Sequence, residues 1–483
     1  MQARCLYPLI LGACIMLLTA CSPFQPAARP DAPGELPDGY SLYSGDAKSP
    51  SPWWNTMGSP ELTRLIDSAL TDNFSLSESW YRLQQARALA VQAGASLYPE
   101  LDAFGSAATN RSDSAGRSSG SAGSQNYELG LTASYEVDLW GRVRSQREAA
   151  LLDVKATEAD LHAAAVSLAA EVALRWVQIL SQRLQKQLLE EQLASNSTFL
   201  ELIELRFRKA MVSALDVYQQ KQVVENVRAK IPLVQAETQL LMHELAVLLG
   251  RPPKADLELN QIQMPTIGQL PPLGLPADLL AARPDVQAAG MRLRAADWQL
   301  AEARANRLPA LRIGAGAQYG PEELDLLFDT WLLSLAANLT APIFDGGRRA
   351  AEVDRLRATV DENLWTYRRV VLTAVKEVED ALARETRQRE HIEALKAVMT
   401  AARNGLREAI DRYRNGLSDY LPVLTQLLTV QDLEQNMIAQ QEQLILYRIG
   451  LYRALGGQWP KEALQSDAAS NRSNGNQRND TTN

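Results

Sequence analysis

Two stretches of the chain say nearly the same thing. YEVDLWGRVR, Tyr135 to Arg144, and NLTAPIFDGGRRA, Asn338 to Ala350, each end a strand-like run in a Gly-Arg pair and then turn into charged, helix-forming sequence. Gly141-Arg142 meets Gly347-Arg348 at a shift of 206 positions (347 − 141). The same shift pairs Glu171-Val172 with Glu377-Val378, Arg206-Phe207-Arg208 with Arg412-Tyr413-Arg414, and Leu249-Gly250 with Leu455-Gly456. Upstream the shift is 210, where Tyr98-Pro99 meets Leu308-Pro309. Glycines and arginines held at one shift from Gly141 to Gly250 mark a duplication, so the fold must be built from two copies of one supersecondary unit.

Each copy has the same plan. A helix comes first, near Leu76–Leu97 and Val286–Leu308, followed by a strand-like pair and two long helices joined by a short turn. The copies occupy residues 61–250 and 285–457. Between them, 251–284 is a Pro-rich connector; 21–60 is a second Pro-rich, extended segment, and 458–483 is a polar tail whose composition predicts disorder. No Gly or Pro occurs from Arg142 to Lys209, enough for a helix of roughly 100 Å at about 1.5 Å per residue. Leu161, Leu168, Val172 and Ile179 fall on one face of it. The fold class is therefore mixed α and β, predominantly helical.

The strands carry a membrane pattern. Every odd position from Leu129 to Leu139 is apolar, while the even ones are Gly130, Thr132, Ser134, Glu136 and Asp138. Trp331, Leu333, Leu335, Ala337, Leu339, Ala341 and Ile343 repeat the alternation, and weaker partners run Leu101–Thr109 and Ile313–Tyr319. This is the length and period of an outer-membrane strand. Arg111–Asn126 between the first pair is polar and rich in Gly and Ser, as an extracellular loop would be. Past the N-terminal leader, no segment offers the ~20 apolar residues of a spanning helix. Four strands cannot close a barrel in lipid, where open edges are not tolerated. Two chains give eight strands and an interior filled by side chains; three give twelve strands and room for a lumen. A soluble four-stranded sheet with one wet face is the competing reading.

The N-terminus supplies a second anchor. Arg4 precedes an apolar run from Cys5 to Ala20, which reads as an export signal over residues 1–20. Leu18-Thr19-Ala20-Cys21 looks like a bacterial lipobox, with cleavage before an acylated Cys21. Leu11-Gly12-Ala13-Cys14 also fits, but cleavage there leaves Ile15-Met16-Leu17-Leu18 on the mature protein. Ser22 follows Cys21, which by the lipoprotein sorting rule directs the anchor to the outer membrane. The three cysteines all lie in the first 21 residues, so processing at Cys21 leaves no thiol for disulfides or a metal site. A net charge of −8 argues against nucleic acid as a partner. Enzyme signatures are missing: His243-Glu244-Leu245-Ala246-Val247 begins like a zinc motif but lacks the second histidine, and there is neither a P-loop nor a G-x-S-x-G. No cofactor is expected beyond the covalent lipid on Cys21.

At this point the sequence resembles the TolC-type outer-membrane efflux family, in its lipoprotein branch. The resemblance is carried by Tyr135 to Arg142, Ala341-Pro342-Ile343-Phe344-Asp345-Gly346-Gly347-Arg348, Tyr413-Arg414-Asn415-Gly416, Tyr452 to Gly457, and Trp53-Trp54 with Pro60-Glu61-Leu62. It implies a homotrimer with a twelve-stranded outer-membrane barrel, four strands per chain, continuing into a long periplasmic α-helical barrel. It also implies the role of exit duct, working with a periplasmic adaptor (membrane fusion) protein and an inner-membrane transporter of RND type. A type I protein-secretion duct has the same fold, and a lipid-tethered coiled-coil scaffold would keep the helices but leave the strands idle. The Gly141-Arg142 and Gly347-Arg348 turns are then where membrane strand hands over to periplasmic helix. By the same resemblance the hairpin tips meet the adaptor through Ala210, Val212, Ser213, Gly416, Leu417 and Ser418. A periplasmic gate is expected at Leu417, Asp419 and Tyr420, with Asp216 from the first tip; Pro422 and Thr425 stand where some members place gate aspartates.

Overall fold

The protein is described by a computed structural model that covers residues 24, 40–41, 52–112, 122–271, 273, 276–320 and 331–457. Residues 1–20, Cys21, Cys14 and the tail 458–483 lie outside the described residues. Helix α1 spans Pro60–Asp72 and α2 Phe74–Ala95; strands β1 (Glu100–Ser112) and β2 (Ala122–Val137) follow, then the long helices α3 (Arg142–Arg208) and α4 (Ala214–Leu248). The second copy runs α5 (Pro284–Ala305), β3 (Ala310–Tyr319), β4 (Trp331–Thr340), α6 (Arg348–Arg414) and α7 (Leu421–Ala454). Both α3 and α6 are 67 residues long, as the absence of helix breakers in α3 predicts.

The chain divides into two compact units. One comprises Tyr81–Glu158 and Ala288–Arg369 and contains the sheet. All four strands are antiparallel in the order β1-β2-β3-β4, so the two hairpins pair through β2 and β3. β1 and β4 each have one neighbour and one open edge. Beside the sheet, α5 and α6 share a core of Leu293, Leu300, Val353, Leu356 and Val360. The strands differ from the apolar alternation at both ends. β1 and β2 stay paired out to Ser112 and Ala122, well into the polar segment expected as loop, because backbone ladder bonds need no apolar side chain. β4 stops at Thr340, since Pro342 has no N–H to continue the ladder.

The other unit comprises Gly34–Trp80, Ala159–Gln287 and the chain from Val370 onward. Its core is the stripe expected on α3: Leu161, Leu168, Val172 and Ile179 are all buried, with Trp176 and Leu180. One stretch of α3 reaches a mean hydropathy of 1.5, long and apolar enough by composition to cross a bilayer, against the expectation that none would. Most of that stretch (61%) is buried inside the protein, as in a core helix. Sequence motifs far apart meet here. The Trp53 ring stacks on Tyr452 at 5.1 Å, and Thr56 Oγ1 lies 3.0 Å from the Tyr452 hydroxyl. The buried Glu61 carboxylate accepts from Trp176 Nε1 (2.8 Å) and from the connector N–H groups of Asn260 (2.7 Å) and Gln261 (3.1 Å). Arg448 and Glu385 form a buried ion pair, and Arg448 also donates to the carbonyls of Gln269 (3.0 Å) and Gly268 (3.3 Å), fastening the connector. The repeated Leu-Gly ends have a packing cause. Gly250 adopts φ 69° with the Asp72 carbonyl oxygen 2.2 Å from where a Cβ would sit, so no other residue fits.

Candidate functional site

Two sites repeat with the chain: the strand-to-helix turns and the hairpin tips. At the first turn Gly141 has φ 74°, and the Asp138 carboxylate accepts from the N–H groups of Val143 and Arg144, both at 3.0 Å. Asp138 thus satisfies orphan donors at the start of α3 and places negative charge at the positive end of its dipole. Arg142 Nε donates to Glu136 Oε1 at 2.8 Å, and Arg312 from β3 reaches the other oxygen at 3.5 Å. Trp140 Nε1 donates to the Pro309 carbonyl at 2.8 Å, tying the first turn to the start of the second hairpin. At the second turn Gly346 and Gly347 have φ 65° and 85°, and Asp345 accepts from Gly347 N–H (3.1 Å) and Arg349 N–H (3.3 Å). Arg348 is exposed there. The four predicted turn residues therefore sit at two equivalent helix starts. The aspartates that hold those starts were not anticipated. Their signal is an Asp two or three residues before each Gly-Arg pair.

The tips are equally matched. Both α3 and α6 end in a Schellman motif, whose bonds run from Met211 N–H to the Arg206 carbonyl (2.9 Å) and from Leu417 N–H to the Arg412 carbonyl (2.8 Å). The left-handed residue is Gly416 in one tip (φ 72°) and Ala210 in the other (φ 55°). Ser213 caps α4 in a capping box: its hydroxyl accepts from Asp216 N–H, and Asp216 Oδ2 accepts from Ser213 N–H at 2.9 Å. Ala210, Ser213, Leu417 and Asp419 are exposed, Val212, Asp216 and Ser418 partly so.

Tyr420, expected at a constriction, is instead in the core, with 2% of its surface exposed. It packs with Ile203, Val223, Val423 and Leu424, and its hydroxyl donates to the buried Gln220 at 2.6 Å. Burial, then the neighbouring Tyr413 and Asp216, push its phenol upward, so it stays a neutral donor. The physical reason is tertiary: the four helix ends need an aromatic between them, and Tyr420 fills that space. Asp216 is also occupied by its cap. Of the four residues expected at the gate, only Leu417 and Asp419 project freely from the chain. His243 is exposed on α4, and no cluster of metal-binding side chains occurs among the described residues.

The comparisons with known proteins agree with this anatomy. The profile of the family described as "Outer membrane efflux protein" matches residues 65–251 and 275–457, one segment for each copy of the repeat. The pyoverdine export outer membrane protein OpmQ of Pseudomonas aeruginosa is 32% identical over 94% of this chain and 97% of its own. The toluene efflux pump outer membrane protein TtgF of Pseudomonas putida is 30% identical, again over 94% and 97%. Among solved structures, CusC, described in terms of transmembrane channel formation, superposes with a TM-score of 0.81 at 27% identity, covering 90% of this chain and 99% of that one. The outer-membrane channel OprN gives 0.80 at 28% identity over 90% and 98%.

Proposed function

The chain belongs to the outer membrane efflux protein family, and from that premise we propose that three copies share one barrel and form the exit duct for small molecules delivered by an adaptor and a transporter. It is an outer-membrane component of an efflux pump, a channel and not an enzyme. The observation that carries the shared barrel is the four-stranded sheet with open edges at β1 and β4. Its β4 side chains Trp331, Leu333, Leu335 and Leu339 are each at least two-thirds exposed, and nothing among the described residues covers them. In lipid such a face is favourable, but an unpaired edge is not, so the edges must meet those of other copies. Eight strands would fill with side chains and twelve leave a duct.

The remaining parts follow from the same reading. Cys21 carries the lipid and serves as a second anchor to the outer membrane. The paired tips, with Ala210, Val212, Ser213, Gly416, Leu417 and Ser418, dock a periplasmic adaptor that bridges to an inner-membrane transporter of RND type. Leu417 and Asp419 line the constriction. Relatives named for pyoverdine, toluene and antibiotic export favour a small-molecule cargo over a secreted protein. Native mass spectrometry from mild detergent, joined to planar-bilayer conductance, tests the proposal. A three-chain complex with discrete conductance is expected; a monomer or dimer that conducts fully would overturn the shared barrel.

A further inference from the structure

The two strand-to-helix turns open onto one cavity. It has a volume of about 540 Å³ and lies within the unit that holds the sheet, between the ends of β2 and β4, the start of β3 and the first turns of α3 and α6. Small-molecule sites span roughly 300–1,000 Å³. Four guanidinium groups line the cavity, those of Arg142, Arg312, Arg348 and Arg349, and they face three carboxylates, Glu136, Asp138 and Asp345. All three carboxylates are occupied. Glu136 receives Arg142 and Arg312, one on each oxygen. Asp138 and Asp345 accept from the N–H groups of the two helix starts.

What is left over is positive. Arg348 is exposed, and its side chain makes no hydrogen bond or ion pair among the described residues. Arg349 Nε is buried without a hydrogen-bond partner, and Asp345 Oδ2 stands 4.0 Å from it, beyond hydrogen-bonding range. Both arginines sit in the first turn of α6, at the positive end of its dipole, where a cation is disfavoured. Neither α3 nor α6 has an acidic residue in its first turn to offset them. Stability alone does not account for arginines so placed. A bound anion does, because two guanidinium groups and a helix start then act on it together.

The sheet says which side the anion comes from. Successive residues of a strand point to opposite faces. Glu136 pairs with Arg312 and Arg312 with Asn338, whereas Val137 pairs with Leu311 and Leu311 with Leu339. Glu136 and Arg312 therefore stand on the face opposite to that of Leu333, Leu335 and Leu339. With those leucines in lipid, the charged wall of the cavity faces the lumen. We propose that the cavity is an anion site on the inner wall of the duct, one in each chain, for a carboxylate or phosphate group carried by the cargo. This names a cargo chemistry for the exit-duct reading and rests on it. Arg348 and Arg349 hold the anion, while Arg142 and Arg312 neutralise Glu136 beside it. A lipid headgroup phosphate has the same chemistry but would enter from the bilayer, and a carboxylate of a neighbouring chain would make the same pairs as a fixed bridge.

Inorganic tripolyphosphate serves as the probe. Calorimetric titration of the full-length complex in non-ionic detergent at low salt should show one site per chain. Arg348→Gln with Arg349→Gln keeps the backbone N–H groups of the helix start and should weaken binding by about tenfold or more. Arg307→Gln, exposed and outside the cavity, should bind as the wild type does. In a planar bilayer of zwitterionic lipid, tripolyphosphate added on the barrel side should block the wild type and not the double variant. A conducting three-chain wild type that binds no probe, or a double variant that binds it equally well, overturns the site. Binding without block, or phosphatidylglycerol retained by the wild type and lost from the double variant in native mass spectrometry, moves the site to the lipid side and overturns its place on the duct wall. A double variant that no longer forms three-chain complexes makes the arginines a bridge between chains, which also overturns it. A wild type with neither a three-chain complex nor conductance fails differently: it overturns the exit duct itself.

Discussion

Ala210 holds φ 55° where its repeat counterpart, Gly416, holds 72°. A left-handed backbone costs a residue with a Cβ about 1 kcal/mol relative to glycine. Ala210→Gly should accordingly raise the unfolding free energy by up to about 1 kcal/mol, and Gly416→Ala should lower it by a similar amount, both read from chemical denaturation. Nothing approaches a Cβ at 416, so the loss would be conformational and not a clash. Glu442, on α7, gives a pH signature. Burial pushes its carboxyl above the usual range. A carboxyl raised in the folded state contributes stability that is fully present below its unfolded pKa, ~4.3, and lost as pH rises through the folded value. Glu442→Gln should therefore match the wild type near pH 4 and become the more stable of the two toward pH 7. Thermal melts across that window check it, and a constant difference at all pH values would refute it.

At the scale of elements, the tips carry the sharpest functional expectation. Asp419 projects freely, whereas Asp216 is engaged by Ser213. Asp419→Asn should then relieve block by divalent cations added to the tip side in a planar bilayer. Asp216→Ala should leave the block intact and instead weaken the start of α4, by about 1 kcal/mol, because the Ser213 N–H loses its acceptor and the helix start its negative partner. Unchanged block in Asp419→Asn would shift the constriction to the ring of Leu417. The elements themselves were largely legible. Long helices without Gly or Pro, alternating strands, and a duplication that checks each copy against the other all leave strong periodic signals. What escaped was tertiary or local. Gln185, Gln192, Asn196, Gln431 and Gln435 look like a solvated helix face, and only the pairing of α3 with α7 turns them into a ladder. Tyr420 read as an exposed tip residue because its neighbours Ile203 and Val223 are about two hundred positions away. Asp138 and Asp345 escaped because the copies differ there by one position.

At the scale of the molecule, the proposed lipid on Cys21 has a direct chemical test. Mass spectrometry of the mature N-terminal peptide should find an acylated Cys21; a chain starting at Cys14 or carrying a bare Cys21 thiol would exclude the lipid anchor at that site. Cys21→Ser should still insert, because a barrel is a sufficient anchor on its own and the proposed lipid only a second one. The open edges of β1 and β4 have a genetic consequence as well. No chain owns a pore, so a defective chain is not merely silent: it takes places in mixed barrels and spoils its intact partners. In the three-chain assembly the fraction of intact channels falls as the cube of the fraction of intact chains. An allele that still pairs at β1 but has lost the outer edge of β4 should therefore be dominant, sensitising cells that also carry the wild-type copy.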